Sequence, residues 1–174
     1  MQTSPAKIAV SSCLLGNPVR YDGKDKRHGL IIDMLNKHFE SVVVCPEMLA
    51  GLGTPRPPVQ LVKFAEGIHA IGVEDHQLDV SAAIELAAEK FIRQHTELAG
   101  CILKSRSPSC GYGSTPLFNT QDEILELGNG LFANKIISHF PELPIKEDSW
   151  FVDDKSVKEF MRLVERYRSK ITVS

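Results

Sequence analysis

The sequence predicts an α/β fold, a mostly parallel sheet flanked by helices in a Rossmann-like three-layer arrangement, with the functional loops at the C-terminal edge of the sheet. Three observations predict it. Short apolar or β-branched runs alternate with segments of helical periodicity along the chain. Three of the four cysteines, Cys13, Cys45 and Cys110, each follow an apolar or strand-like run and open a loop rich in Gly and Pro. The 174 residues, 43% apolar and 24% charged, suit a single domain with a substantial core. One domain is expected over 1–174, with 146–174 as a C-terminal helical extension.

Lys7 to Ser12 reads as the first strand, and Gly29 to Phe39 as a helix carrying Leu30, Ile31, Met34, Leu35 and His38 at helical spacing. Ser41 to Val44 is a short β-branched strand. The loop after it is stiffened by Pro46, Pro55, Pro57 and Pro58 and hinged at Gly51 and Gly53. Val59 to Phe64 and Ile68 to Glu74 flank Glu66 and Gly67 as a hairpin or two extended segments. Val80 to His95 places Ile84, Ala87, Ala88, Phe91 and Ile92 on one helical face, with Asp79 or Ser81 as the cap. Gly100 to Leu103 is a buried strand, and Lys104 to Pro116 a polar loop punctuated by Gly111 and Gly113. Asn129 to His139 is a helix, Leu143 to Ile145 an extended piece, and Asp153 to Arg168 an amphipathic helix built on Val157, Phe160, Met161 and Val164.

With 20 Lys and Arg against 22 Asp and Glu, the chain has no basic excess of the kind that displaces counterions from nucleic acid, so a small, nearly neutral substrate is the better fit. No apolar stretch approaches the roughly 20 residues that span a bilayer, and the first residues lack a signal-peptide core. A cytoplasmic location is expected. There the four thiols are reduced, so metal or redox chemistry accounts for the three loop cysteines better than disulfides do. Parallel topology would bring Cys13, Cys45 and Cys110 together beyond the strand ends, although any single cysteine could equally be a small buried hydrophobe. Cys101, inside the apolar segment ELAGCILK, reads as core.

Three long motifs carry a resemblance: SSCLLGNPVRYDGKDK at Ser11 to Lys26, VCPEMLAGLGTPRPP at Val44 to Pro58, and LKSRSPSCGYG at Leu103 to Gly113. In this order they resemble the widespread bacterial domain family, long catalogued as of unknown function, that includes the 2-thiouracil desulfidases. The segment LGNGLFANKIISHFPELP is similar to an ending found in some members, whereas Ala50 stands where a second Gly is often present. The resemblance implies a [4Fe-4S] cluster held by Cys13, Cys45 and Cys110, with one iron free of protein ligands. It implies a desulfidase that removes sulfur from a thiolated nucleobase such as 2-thiouracil, giving uracil and hydrogen sulfide without net redox. A cluster-assembly machinery would supply the cofactor.

Glu47, two residues beyond Cys45, is then the expected general base, where a bare reading favours a capping carboxylate or a partner of Arg56. Ser107 and Ser109 bracket Pro108 before Cys110, and one of them is expected to donate to a leaving sulfur or a ring oxygen. Arg20, Tyr21, Asp22, Lys24, Arg56 and Lys104 could form a polar wall. Asp22 and Arg56 are the stronger substrate-binding candidates because they fall inside the motifs, though salt bridges locking the loops account for them as well. Two alternatives use the same cysteines. A zinc-stabilised, non-enzymatic binding module would add His28 or Cys101 as a ligand. A thiol phosphatase would use Cys13 with Arg20, but six residues separate the pair where that loop has five, and Cys45 and Cys110 go unexplained.

Overall fold

The computed structural model describes residues 4–173. A four-stranded sheet is built from β1 (Ala6–Ser11), β2 (Phe39–Val44), β5 (Leu98–Leu103) and β8 (Ile145–Glu147), in the order β2-β1-β5-β8 and parallel throughout. Alternation along these strands sends side chains to both faces, and both faces are covered. Ile8, Val10 and Ile102 meet Ile31, Met34 and Leu35 of α1 (Gly29–His38) and Phe160 and Val164 of α5 (Asp154–Val173). Ala9, Val42, Val44, Cys101 and Leu103 meet Ala88, Phe91 and Ile92 of α3 (Ser81–Gln94) and Phe132 and Ile136 of α4 (Leu131–His139). These are the expected three layers.

A second four-stranded sheet was not expected. It joins two hairpins, β3 (Val59–Phe64) with β4 (Gly67–Gly72) and β6 (Thr115–Phe118) with β7 (Ile124–Gly128), through a parallel β3–β6 contact. Leu61, Ala70 and Leu117 bury its inner face against Val80, Ile84 and Leu131. The first hairpin was legible because its strands alternate. The second was not, since β6 has four residues including a proline and β7 is exposed almost throughout.

The Pro-rich loop after β2 also hides one turn of helix, α2 (Pro46–Leu49), with Pro46 at the position where a missing N–H costs nothing. At α3 the N-cap is Val80, and the Asp79 carboxylate reaches in from one residue earlier to accept from the Ser81 N–H at 2.9 Å. The closing helix runs further than its periodicity indicates, to Val173. It starts with reciprocal bonds between Asp153 and Ser156, each side chain accepting from the other's backbone N–H.

β1 lies between β2 and β5, so the chain leaves it first to one side and later to the other. Such a switch point opens a crevice at the carboxyl ends of the strands. The loops after β1, β2 and β5 gather there. No helix among the described residues is long and apolar enough to cross a membrane.

Phe160 anchors α5. Its ring is fully buried, edge-on to Phe39 and Phe151, and seated over Gly100, where a Cβ would stand 3.1 Å from it. Phe160→Ala should cost about 3–5 kcal/mol, read as a lower urea midpoint; an unchanged midpoint would mean α5 adds nothing to the core.

Candidate active site

A cavity of about 470 Å³ lies in the switch-point crevice, and Cys13, Cys45 and Cys110 all line it. Cys13 sits in a 3-10 turn, Ser12–Leu15, directly after β1, with its carbonyl accepting from the Lys26 N–H at 2.9 Å. Cys45 is the single residue between β2 and α2. Cys110 lies in the long loop after β5, where its N–H donates to Ser107 Oγ at 3.0 Å. All are free thiols; Cys13 and Cys110 are buried and Cys45 is partly exposed.

Burial governs their ionisation. It pushes the Cys13 thiol up to about 11, against a counter-pull from Lys104, and also raises Cys45. Cys110 is pushed well above the usual thiol range by burial, a hydrogen bond with Ser11 acts the other way, and the neighbouring Cys45 and Cys13 add to the rise. Burial in this cleft therefore disfavours the thiolate form of all three, and positive charge beside them favours it, as Lys104 does for Cys13 and Arg56 for Cys45. Cys101 is apart, fully buried against α3 and α4 and pushed up to about 12 by burial alone. Among the described residues no three His, Cys, Asp or Glu side chains converge at the spacing of one metal ion.

α2 turns Glu47 into the same cavity. One carboxylate oxygen, Oε1, accepts from Ser109 Oγ at 2.9 Å; the other, Oε2, accepts from Arg56 Nε at 2.6 Å and pairs with the same guanidinium's Nη2. Arg56 Nη1 donates to Val19 O at 2.9 Å and Gly53 O at 2.7 Å, tying the first loop to the second. The pairing of Glu47 with Arg56 thus forms, and it leaves the carboxylate on the cavity wall. Ser107 lines the cavity too, but its Oγ accepts from the Ser109 and Cys110 N–H groups and closes the turn. Arg20, Tyr21 and Lys104 are in the wall. Asp22 and Lys24 are outside it, joined by an Asx turn of 3.1 Å, with Asp22 3.8 Å from Arg20. His28 is also outside, its Nδ1 buried without a hydrogen-bond partner.

A family model, 2-thiouracil desulfurase, matches residues 8–148. The chain belongs to the 2-thiouracil desulfurase family. The motif resemblance is borne out. The chain is 31% identical over 115 residues to the uncharacterized protein YbbK of Bacillus subtilis (strain 168), a span covering 61% of this chain and 74% of that protein. It is also similar to a solved structure, the [4Fe-4S]-dependent thiouracil desulfidase TudS (DUF523Vcz), with a TM-score of 0.68 and 32% identity, covering 84% of this chain and 93% of the other. The span matched by the desulfurase family runs from Ile8 within β1 through β8, contains all three loop cysteines, Glu47 and Ser109, and stops at Asp148, short of α5.

Asp148 is one of several site residues that sequence reasoning missed. Its Oδ2 holds Lys104 Nζ at 2.9 Å and its Oδ1 accepts from the Ser105 N–H at 2.7 Å, so the turn after β8 fixes the loop after β5. Ser11 accepts from the Lys104 N–H at 2.9 Å, and Lys26 and Arg106 complete a cationic rim. Only the tertiary fold identifies Asp148, which lies 44 residues from Lys104 in sequence. Lys26 and Arg106, by contrast, stand inside the quoted motifs, where their charge is the signal that marks them.

Burial raises the Asp148 pKa, and the Ser105 N–H and the Lys104 ammonium outweigh it, leaving the carboxyl below its ordinary value. A folded pKa below the unfolded one gives stability that is complete above the unfolded pKa and lost as pH falls through the folded pKa. Asp148→Asn should therefore be less stable than wild type at neutral pH, with the gap closing as pH drops below about 4. Thermal unfolding across pH checks this, and a gap independent of pH would contradict it.

Proposed function

We propose that this chain is an iron–sulfur-dependent, non-redox desulfidase that removes sulfur from a thiolated nucleobase such as 2-thiouracil, giving uracil and hydrogen sulfide. The observation that carries it is the meeting of Cys13, Cys45 and Cys110 in one cavity beside Glu47. The named activity and cofactor of the solved relative support the same reading.

The donor set fits a [4Fe-4S] cluster. Three thiols arrive from the loops after three adjacent parallel strands and line one cavity, and among the described residues no three His, Cys, Asp or Glu side chains converge on one metal ion, which suits ligands to separate irons better than ligands to a single ion. Their raised pKa values call for a cationic partner, which a cluster core is. The zinc-module alternative has less support, because a tetrahedral ion with Zn–S of about 2.3 Å needs its ligands in one sphere and no such group occurs among the described residues. The phosphatase alternative leaves the placement of Cys45 and Cys110 unused.

When bound through three cysteines, the cluster supplies one iron with an open position, a soft Lewis acid suited to a thiocarbonyl sulfur. The protein supplies the rest. Glu47 takes a proton from the water that attacks the thiocarbonyl carbon, and Arg56 holds the carboxylate in place from the side away from Ser109. Ser109, whose hydroxyl donates to Glu47 Oε1, relays the proton that Glu47 takes from the water to the departing sulfur, while Ser107 shapes the turn that carries it. Asp22 acts through the turn that presents Arg20 and Tyr21 to the cavity. C=S and H₂O become C=O and H₂S, so atoms and charge balance with no external electrons. The cluster itself would come from cellular assembly machinery in a cytoplasmic setting.

Anaerobically loaded protein incubated with 2-thiouracil should release uracil and sulfide in equal amounts, and Glu47→Gln should lower kcat by roughly 10²–10⁴-fold with iron content unchanged. No sulfide from loaded wild type would overturn the substrate assignment. Wild-type turnover in Glu47→Gln would overturn the general-base role.

A further inference from the structure

The start of α4 is pressed against the loop that carries Cys110. Gly130, its N-cap, has φ −65° and ψ 159°, a conformation open to any residue, so backbone freedom does not explain the glycine. Space does. A Cβ on Gly130 would stand 2.3 Å from the Ser109 carbonyl carbon and oxygen and 2.8 Å from the Cys110 nitrogen, contacts that no side-chain rotation relieves.

The same surface is closed by hydrogen bonds. A helix start leaves its first N–H groups without intrahelical partners, and here carbonyls of one loop take them. Gly130 donates to Gly111 O at 2.8 Å, Leu131 to Pro108 O at 3.0 Å, and Phe132 and Ala133 to Ser109 O at 3.0 and 3.1 Å. No side chain caps this helix. The helix end and the Ser109–Cys110 backbone therefore hold each other at a separation only glycine permits.

We infer that Gly130 is a positioning residue for Cys110 and Ser109, setting the depth at which the third thiolate enters the site. A role of this kind rests on the cluster reading proposed above. It follows from where a clash can be relieved. Behind Gly130, Phe132, Ala133 and Ile136 are fully buried, and Phe132 packs edge-on to Phe91, so α4 cannot retreat cheaply. In front, Ser107 to Cys110 faces the open cavity. An added methyl group pushes the loop toward the cavity and takes Cys110 and Ser109 out of place while the core stays intact. The segment NGLFANK, which the three cysteine motifs do not include, thereby joins the site.

Gly128 is the control, two residues away, where an added Cβ meets nothing within 4 Å. Wild type, Gly128→Ala and Gly130→Ala are loaded anaerobically, and iron is followed during a chelator challenge, with Tm measured on the same samples. Gly130→Ala should hold the cluster roughly 10- to 100-fold more weakly, the usual cost of losing a support behind a metal ligand, with Gly128→Ala like wild type. Amide exchange on wild type gives a second readout if Gly130→Ala does not fold. Removing the cluster should expose the Leu131, Phe132 and Ala133 amides to roughly tenfold faster exchange and leave Ile136 to His139 unchanged. Iron retention by Gly130→Ala equal to wild type, or equal exchange in both forms, overturns the positioning role alone. A wild-type chain that takes up no iron overturns the cluster reading and this role with it.

Discussion

Three thiols side by side in a buried crevice are the constraint on which the rest of the structure depends. Each is raised by burial, and Cys13 and Cys110 are raised further by the cysteines beside them, so positive charge near the three favours their ionised form. The fold brings them together through the parallel order β2-β1-β5, which places three carboxyl ends in a row. Neither Cys13 nor Cys45 needs a long loop to reach the site, since one follows β1 by a single intervening residue and the other follows β2 directly. Cys110 arrives on a longer loop, and that loop is the one most heavily braced.

The bracing is polar and runs across distant parts of the chain. Arg56 joins Glu47 to the carbonyls of Val19 and Gly53, Asp148 joins Lys104 to Ser105, and the start of α4 takes the carbonyls of Pro108, Ser109 and Gly111. The Arg56–Glu47 pair is nearly enclosed, with 7% and 11% of the two side chains exposed. Burying such a pair is a weak source of stability but a strong source of geometry, since either partner alone would be an unpaired buried charge. The cavity-lining carboxylate of Glu47 is thus held by Arg56 at one oxygen, and the hydroxyl of Ser109 donates to the other.

Much of this was legible in the sequence. The strands before Cys13 and Cys45 announce themselves by β-branched runs, α1, α3 and α5 by apolar spacing, and the three loop motifs by their order. Cys101 separates from the others because it lies within a strand whose every residue is buried. What could not be read is long-range. Asp148 and Gly130 look ordinary in sequence, and their meaning comes from partners 44 and about 20 residues away that only the folded chain brings near. The β6–β7 hairpin escaped for the opposite reason: β7 is almost wholly exposed and lacks the alternation that marks a half-buried strand. Asp22 and Ser107 show the limit of motif logic, since each stands inside a motif and serves a turn.

The central claim is that Cys13, Cys45 and Cys110 alone hold a four-iron cluster and leave one iron open. The direct measurement is iron and acid-labile sulfide per chain, with absorption and electron paramagnetic resonance spectra, for anaerobically purified wild type and the four single Cys→Ala variants. About four irons and four sulfides are expected in wild type and Cys101→Ala, with loss of the cluster in each of the other three. Stoichiometric zinc in a colourless wild-type protein, or loss of the cluster in Cys101→Ala with retention in any of the other three, would contradict it.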